Sequence, residues 1–174
     1  MLCAPDIITG LRAVVLDVDG VLTDGRIGYG PGDGEIKFFD VRDGHGIVLL
    51  RRAGLRVGIL SGRASAANRR RAAELELDFV YEGCKDKLAG FELLLREQAL
   101  TAAQCLMIGD DLVDIPVMRR AGAAVAVADA TAETRAAAQW TTTATGGRGA
   151  IREVAEWLLR EQGKWHSATA KYFA

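Results

Sequence analysis

The sequence predicts an α/β domain, a parallel β-sheet covered by helices on both faces. Short runs rich in Val, Ile and Leu, each bounded by Gly or Asp, alternate with segments whose apolar residues recur at three- and four-residue spacing. Alternation of this kind builds strand–helix–strand units, in which the strands lie parallel and are buried on both faces. The length, 174 residues, is enough for one such domain with a full core and too little for two comfortable ones.

Residues 12–18 (RAVVLDV) form the first predicted strand. Residues 26–40 (RIGYGPGDGEIKFFD) then break the rhythm. Two β-like arms around a Gly/Pro/Asp turn predict a projecting hairpin. Its Ile27, Tyr29, Ile36 and Phe38 need a surface to bury them, which points to a contact between subunits; a hairpin folded back over its own domain is the alternative. Alternating helices and strands follow: helix 46–53, strand 56–60, helix 64–75, strand 78–81, helix 86–98, strand 104–108, helix 112–121, strand 123–127 and helix 131–138. The tail, 162–174, reads as too polar and too short to build a core element.

Charge and composition exclude several classes. Lys and Arg number 22 against 23 Asp and Glu, a formal net charge of −1, so binding to nucleic acid through bulk charge is not expected. No stretch approaches the roughly eighteen apolar residues of a membrane span, and residues 1–10 lack the basic run and apolar core of a secretory signal. Cys3, Cys84 and Cys105 are odd in number and lack zinc-ligand spacing, so they read as reduced thiols of a cytoplasmic protein.

Ligands of parallel sheets bind beyond the carboxyl ends of the strands, so the polar residues there carry the functional reading. The first predicted strand ends in Asp17-Val18-Asp19-Gly20, two acids entering a glycine turn whose backbone N–H groups can face an anion. Two acids this close repel, and a divalent cation relieves the repulsion. The second ends in Ser61-Gly62-Arg63, a hydroxyl and a guanidinium suited to gripping phosphate or carboxylate. Lys87 opens the helix after the third, where an ammonium can neutralise phosphoryl charge. The fourth ends in Gly109-Asp110-Asp111-Leu112-Val113-Asp114, a hard-oxygen cluster suited to Mg²⁺. Each signal alone has a plain alternative: a solvated acidic turn, a serine or aspartate capping a helix, surface lysines, an acidic first turn.

Together and in this order they resemble the haloacid dehalogenase (HAD) superfamily of phosphatases over nearly the whole chain. Asp17-x-Asp19-Gly20-x-x-Thr23 is similar to its nucleophile motif, and Ser61, Lys87 and Gly109-Asp110-Asp111-x-x-Asp114 to its second, third and fourth. The resemblance implies a Rossmann-like HAD core and an aspartyl-phosphate mechanism. In it Asp17 is the nucleophile, Asp19 the general acid and base, and Ser61 and Lys87 hold the phosphoryl oxygens. It also implies Mg²⁺ held by the Asp17 carboxylate, the Asp19 carbonyl and the Asp110 carboxylate, with Asp111 and Asp114 supporting or binding through water.

Between Asp24 and Ser61 there is room only for the hairpin and one helix, and between Ser61 and Lys87 only for a helix and a strand, so no cap domain is expected. Here the resemblance narrows to the 3-deoxy-D-manno-octulosonate (KDO) 8-phosphate phosphatase family, carried by Asp40-Val41-Arg42-Asp43-Gly44-His45-Gly46-Ile47, Leu60-Ser61-Gly62-Arg63, Asp86-Lys87 and Gly146-Gly147-Arg148-Gly149-Ala150-Ile151-Arg152-Glu153. That family implies a homotetramer assembled through the hairpins, a sugar-acid phosphate substrate and a place in lipopolysaccharide biosynthesis. It also implies a pocket shaped by Asp19, Asp40, Val41, Arg42, Asp43, Gly44, Val48, Gly62 and Lys87, with Arg63 and Arg71 on the acid's polar head. Of Arg69, Arg70 and Arg71, at most one can face the cleft, because consecutive helical residues point about 100° apart. His45 either lines the pocket or merely starts the helix, and Lys164 with its flanks either reaches a neighbouring active site or frays.

Val48 departs from the pattern, standing where many members of the family carry Arg or Lys. Capless relatives acting on 9-phosphates of nine-carbon keto acids are therefore the alternative, although Arg63 favours the eight-carbon acid. Two other classes fit less well. A response-regulator receiver needs its phospho-acceptor after the third strand and its lysine last, whereas here Tyr81-Glu82-Gly83 follows the third strand and Lys87 precedes Asp110. A non-catalytic assembly module would tolerate loss of Asp19 or Lys87, and both are present.

Overall fold

The computed structural model describes residues 5–30 and 34–173. Six parallel strands form one sheet in the order β5-β4-β1-β6-β7-β8: β1 is Ala13–Leu16, β4 Arg56–Leu60, β5 Phe79–Tyr81, β6 Cys105–Gly109, β7 Ala123–Ala126 and β8 Trp140–Thr141. All residues of β1, β6 and β7 are buried, which explains why these strands read as continuous apolar runs rather than alternating ones. The chain runs outward from β1 through β4 to β5, then returns to β6 on the other side of β1. The turning point lies between β1 and β6, and a crevice opens there at the carboxyl ends.

Helices α1 (Pro5–Gly10), α2 (Val41–Arg52), α3 (Ala66–Glu74), α4 (Lys87–Glu97), α5 (Ile115–Arg120), α6 (Ala132–Ala137) and α7 (Ala150–Glu161) flank the sheet. Sequence capping sets several starts. Asp40, Ser65 and Asp86 each accept a backbone N–H of the helix they open, from Arg42, Ala67 and Ala89. Helix α2 accordingly begins at Val41, five residues before the predicted start.

Strand β8 and helices α1 and α7 lie outside the elements that periodicity predicts. Helix α7 buries Ile151, Val154, Ala155, Leu158 and Leu159 along one stripe and packs on α2.

The hairpin is present as β2 (Gly28–Tyr29) paired antiparallel with β3 (Glu35–Ile36); its predicted turn falls partly on residues 31–33, outside the described residues. Tyr29 and Phe38 are 77% and 76% exposed. The tail corrects the expectation of a segment without a core role. Helix α8 (Trp165–Thr169) buries Ala168 in the main core, Arg52 donates to the Ala168 carbonyl, and the Tyr172 hydroxyl meets His45 Nε2 at 2.8 Å. Cation–π contacts compensate for its polarity, the Trp165 ring lying beneath the Arg152 and Arg160 guanidinium groups. Cys84 and Cys105 are free thiols, as expected; Cys3 lies outside the described residues.

Candidate active site

Asp17 follows β1 directly, its N–H bonded to the Ile108 carbonyl of β6, so the sheet ladder itself fixes where its side chain emerges. Asp110 emerges one strand away, after β6, and Ser61 after β4 on the other side. Lys87, the first residue of α4, extends its buried ammonium between two carboxylates, 2.8 Å from Asp17 Oδ1 and 2.6 Å from Asp114 Oδ1. Asp17, Asp19, Ser61, Gly62, Arg63, Lys87, Asp110 and Asp111 thus line one cavity of about 230 Å³.

Electrostatics within it are unbalanced. One ammonium faces three buried or half-buried carboxylates, and oxygens of Asp17, Asp110 and Asp114 lie within 4.8 Å of one another. Burial pushes the Asp17 carboxyl up to about 6, with Lys87 opposing and Asp114 adding to the rise. Burial, then the Asp17 and Asp114 charges, push Asp110 up to about 8. Burial works against the Lys87 charge, but Asp17 and Asp114 outweigh it and hold the ammonium above its ordinary pKa.

The donor set fits a hard divalent cation. Asp110 Oδ1 is buried without a hydrogen-bond partner, and the surplus negative charge beside it is what Mg²⁺ neutralises. Asp114 is committed elsewhere, Oδ1 to Lys87 and Oδ2 to the N–H groups of Asp110 and Asp111, so it fixes the loop that presents Asp110. Asp111 caps the next turn by accepting from the Leu112 N–H. Ser61 accepts from the Arg63 N–H, leaving its own hydroxyl hydrogen free for the cavity.

Of the residues expected around a sugar acid, Asp19, Gly62, Arg63 and Lys87 line this cavity and the others lie outside it. Asp40 and Arg42 pair with each other at the edge of a second hollow, of about 430 Å³, with Phe38, Phe39 and Arg148. Val41 is 80% exposed, and Val48 packs against the core. Arg71 lies over the Phe39 ring and against Gly44, where a β-carbon would clash with the guanidinium; it faces a hollow between the hairpin and α3. Asp43 is buried, and its two oxygens accept the N–H groups of Gly149 and Arg152, so it caps α7 rather than lining a pocket. His45 bonds Arg152 and Tyr172, away from the cavity. Lys164 belongs to the backbone link between α7 and α8 of its own chain.

Sequence reasoning misses Lys37. Its fully buried ammonium lies 2.6 Å from Asp19 Oδ1. The readable signal is the alternation of charged and apolar residues in Glu35-Ile36-Lys37-Phe38.

Such a sheet, with paired acids, a hydroxyl and a lysine at its switch point, defines a HAD-like phosphatase. The family model for haloacid dehalogenase-like hydrolases matches residues 45–122. The 3-deoxy-D-manno-octulosonate 8-phosphate phosphatase KdsC of Escherichia coli K12 is 42% identical over 158 residues, covering 91% of this chain and 84% of that protein. The chain belongs to the KDO 8-phosphate phosphatase family of haloacid dehalogenase-like hydrolases. Among solved structures, the Moraxella catarrhalis phosphatase in complex with magnesium, phosphate and KDO superimposes with a TM-score of 0.92 at 36% identity, covering 97% of both chains. The cobalt-bound Haemophilus influenzae enzyme gives 0.89 at 39% identity, covering 96% of this chain and 98% of the other.

Proposed function

We propose that this protein hydrolyses KDO 8-phosphate to KDO and phosphate with Mg²⁺. The observation that carries the reading is the convergence of Asp17, Ser61, Lys87 and Asp110 on one cavity, in a chain whose Moraxella relative binds magnesium, phosphate and KDO. Asp17, Asp110 and the Asp19 carbonyl would hold the cation. When bound, it supplies positive charge that lets an anionic nucleophile approach an anionic ester.

An Asp17 oxygen forms the new bond to phosphorus as the bond to the sugar oxygen breaks, and Asp19 gives that oxygen its proton. Ser61 and Lys87 hold the equatorial oxygens throughout. Asp19 then takes a proton from water, whose oxygen attacks phosphorus and frees the Asp17 carboxylate.

The outward apolar face of the hairpin, Tyr29, Ile36 and Phe38, supports a homotetramer in which neighbouring subunits complete the sugar pocket with residues such as Arg71. No helix among the described residues is long and apolar enough to cross a membrane, and the free thiols support a cytoplasmic setting. Val48, standing where many members of the family carry a cation, weakens the case for the same sugar-acid grip and keeps a nine-carbon keto acid 9-phosphate as the alternative.

The test is kcat/KM for KDO 8-phosphate, nine-carbon 9-phosphates and hexose phosphates, with and without Mg²⁺. KDO 8-phosphate is expected to lead, and only with the metal. A clear win for hexose phosphates, or hydrolysis indifferent to chelation, would overturn the reading.

A further inference from the structure

The hairpin's second arm is built inside out. Ile36 and Phe38 are 45% and 76% exposed, while the charged side chains of Glu35 and Lys37, two residues apart and so on one face, turn inward and are 16% and 0% exposed. Inside, Lys37 Nζ lies 2.6 Å from Asp19 Oδ1 and 3.8 Å from Glu35 Oε2. Arg63 pairs with Glu35 and brings its Nε within 3.9 Å of Asp19 Oδ2. Two cations and two anions thus close a ring beside the cavity that Asp19 and Arg63 line.

Stability does not explain this arrangement. A buried ion pair as a whole recovers little beyond its desolvation cost, so these charges are not there chiefly to hold the fold, although removing Lys37 alone would leave Asp19 Oδ1 without its partner and cost stability as well. What a methionine at position 37 could not do is hold Asp19 in one orientation. The ammonium takes Oδ1 and leaves Oδ2 with only the long approach of Arg63.

We propose that Lys37 is a positioning residue for Asp19: the hairpin's inward lysine holds Oδ1 so that Oδ2, which carries the proton in the acid step, meets the ester oxygen that leaves. The inference rests on Asp19 acting as general acid. It also makes the hairpin part of the catalytic apparatus, since the same arm that turns Ile36 and Phe38 outward sets Asp19.

Positioning and mere structural support separate by leaving group. A general acid matters for a sugar alkoxide, a poor leaving group, and little for p-nitrophenolate, which departs without a proton. The experiment compares kcat/KM, which reports only the steps through alcohol release, for KDO 8-phosphate and p-nitrophenyl phosphate in Lys37→Met, Lys37→Arg and Asp19→Asn. Lys37→Met is expected to lose about tenfold to a hundredfold on the sugar phosphate and under about threefold on the aryl ester, with Lys37→Arg recovering most of the loss. Equal losses on both esters, or none, in Lys37→Met overturn the inference when Asp19→Asn still discriminates between them. If Asp19→Asn does not discriminate, the acid role of Asp19 falls, and the positioning role with it.

Discussion

Gly20 and Asp110 approach so closely that a β-carbon at position 20 would overlap Asp110 Oδ2. Gly20 also has φ +93°, a conformation that residues with side chains rarely adopt. The turn after Asp19 can therefore pass beside the Asp110 carboxylate, which follows β6, only as glycine. Gly20→Ala is expected to displace Asp110, weakening Mg²⁺ binding at least tenfold and costing about 1–3 kcal/mol of stability from backbone strain. Metal titration followed by calorimetry, alongside thermal unfolding, checks both effects; unchanged Mg²⁺ affinity would mean that Asp110 does not hold the cation.

Lys87 stands between Asp17 and Asp114 with its side chain only 4% exposed. Lys87→Met removes the cation and leaves two buried carboxylates uncompensated. Breaking a buried pair in this way costs about 3–5 kcal/mol. The loss should shrink when Mg²⁺ is present, because the metal takes over part of the neutralisation. Denaturant unfolding with and without Mg²⁺ measures it. Turnover should fall on the order of a hundredfold or more if Lys87 donates to the transferring phosphoryl group as proposed.

Metal-free protein should lose stability as pH rises. The folded Asp17 and Asp110 carboxyls are raised from 3.8 to about 6 and about 8, so between about pH 4 and 8 the folded state holds more protons than the unfolded one. Stability falls with pH wherever the folded state binds the excess. Their contribution is therefore complete below about pH 4 and declines through pH 6 and 8. Thermal melts in chelator should show a falling Tm across that range, and the rise in Tm on adding Mg²⁺ should grow with pH. A Tm that climbs from pH 5 to 8 in chelator would contradict the crowded-carboxylate account.

The candidate site is legible in the sequence because it sits at strand ends. Asp17, Ser61 and Asp110 come after apolar runs whose parallel pairing brings them together, and topology alone supplies the convergence. Features that depend on distant packing are not legible. Asp43 is one acid in a motif that suggests a pocket, and its role as a cap depends on α7, more than a hundred residues later, docking on α2. Alternation in the hairpin arm puts Glu35 and Lys37 on one face, but which face turns inward depends on the packing against Asp19 and Arg63, so Lys37 goes unnoticed. The tail reads as loose because its anchorage comes from rings and guanidinium groups rather than an apolar stripe. Strand β8, two residues long, leaves too little pattern to detect.

Asp43 decides between a cap and a substrate contact. Its carboxylate accepts from Gly149 N at 3.0 Å and Arg152 N at 2.9 Å, at the start of the helix that packs most extensively on α2. Gly149, at φ +104°, offers no side chain to cap that helix itself. Burial raises the Asp43 carboxyl despite these donors, so the site holds its charge at a cost and depends on both bonds. Asp43→Ala leaves two N–H groups unmatched and should cost about 1–3 kcal/mol. Asp43→Asn, which keeps an oxygen acceptor, should cost less. In both variants KM for KDO 8-phosphate should stay within about twofold when measured well below the melting temperature, because the side chain faces α7 and not the cavity. A KM raised tenfold with stability intact would instead return Asp43 to the substrate.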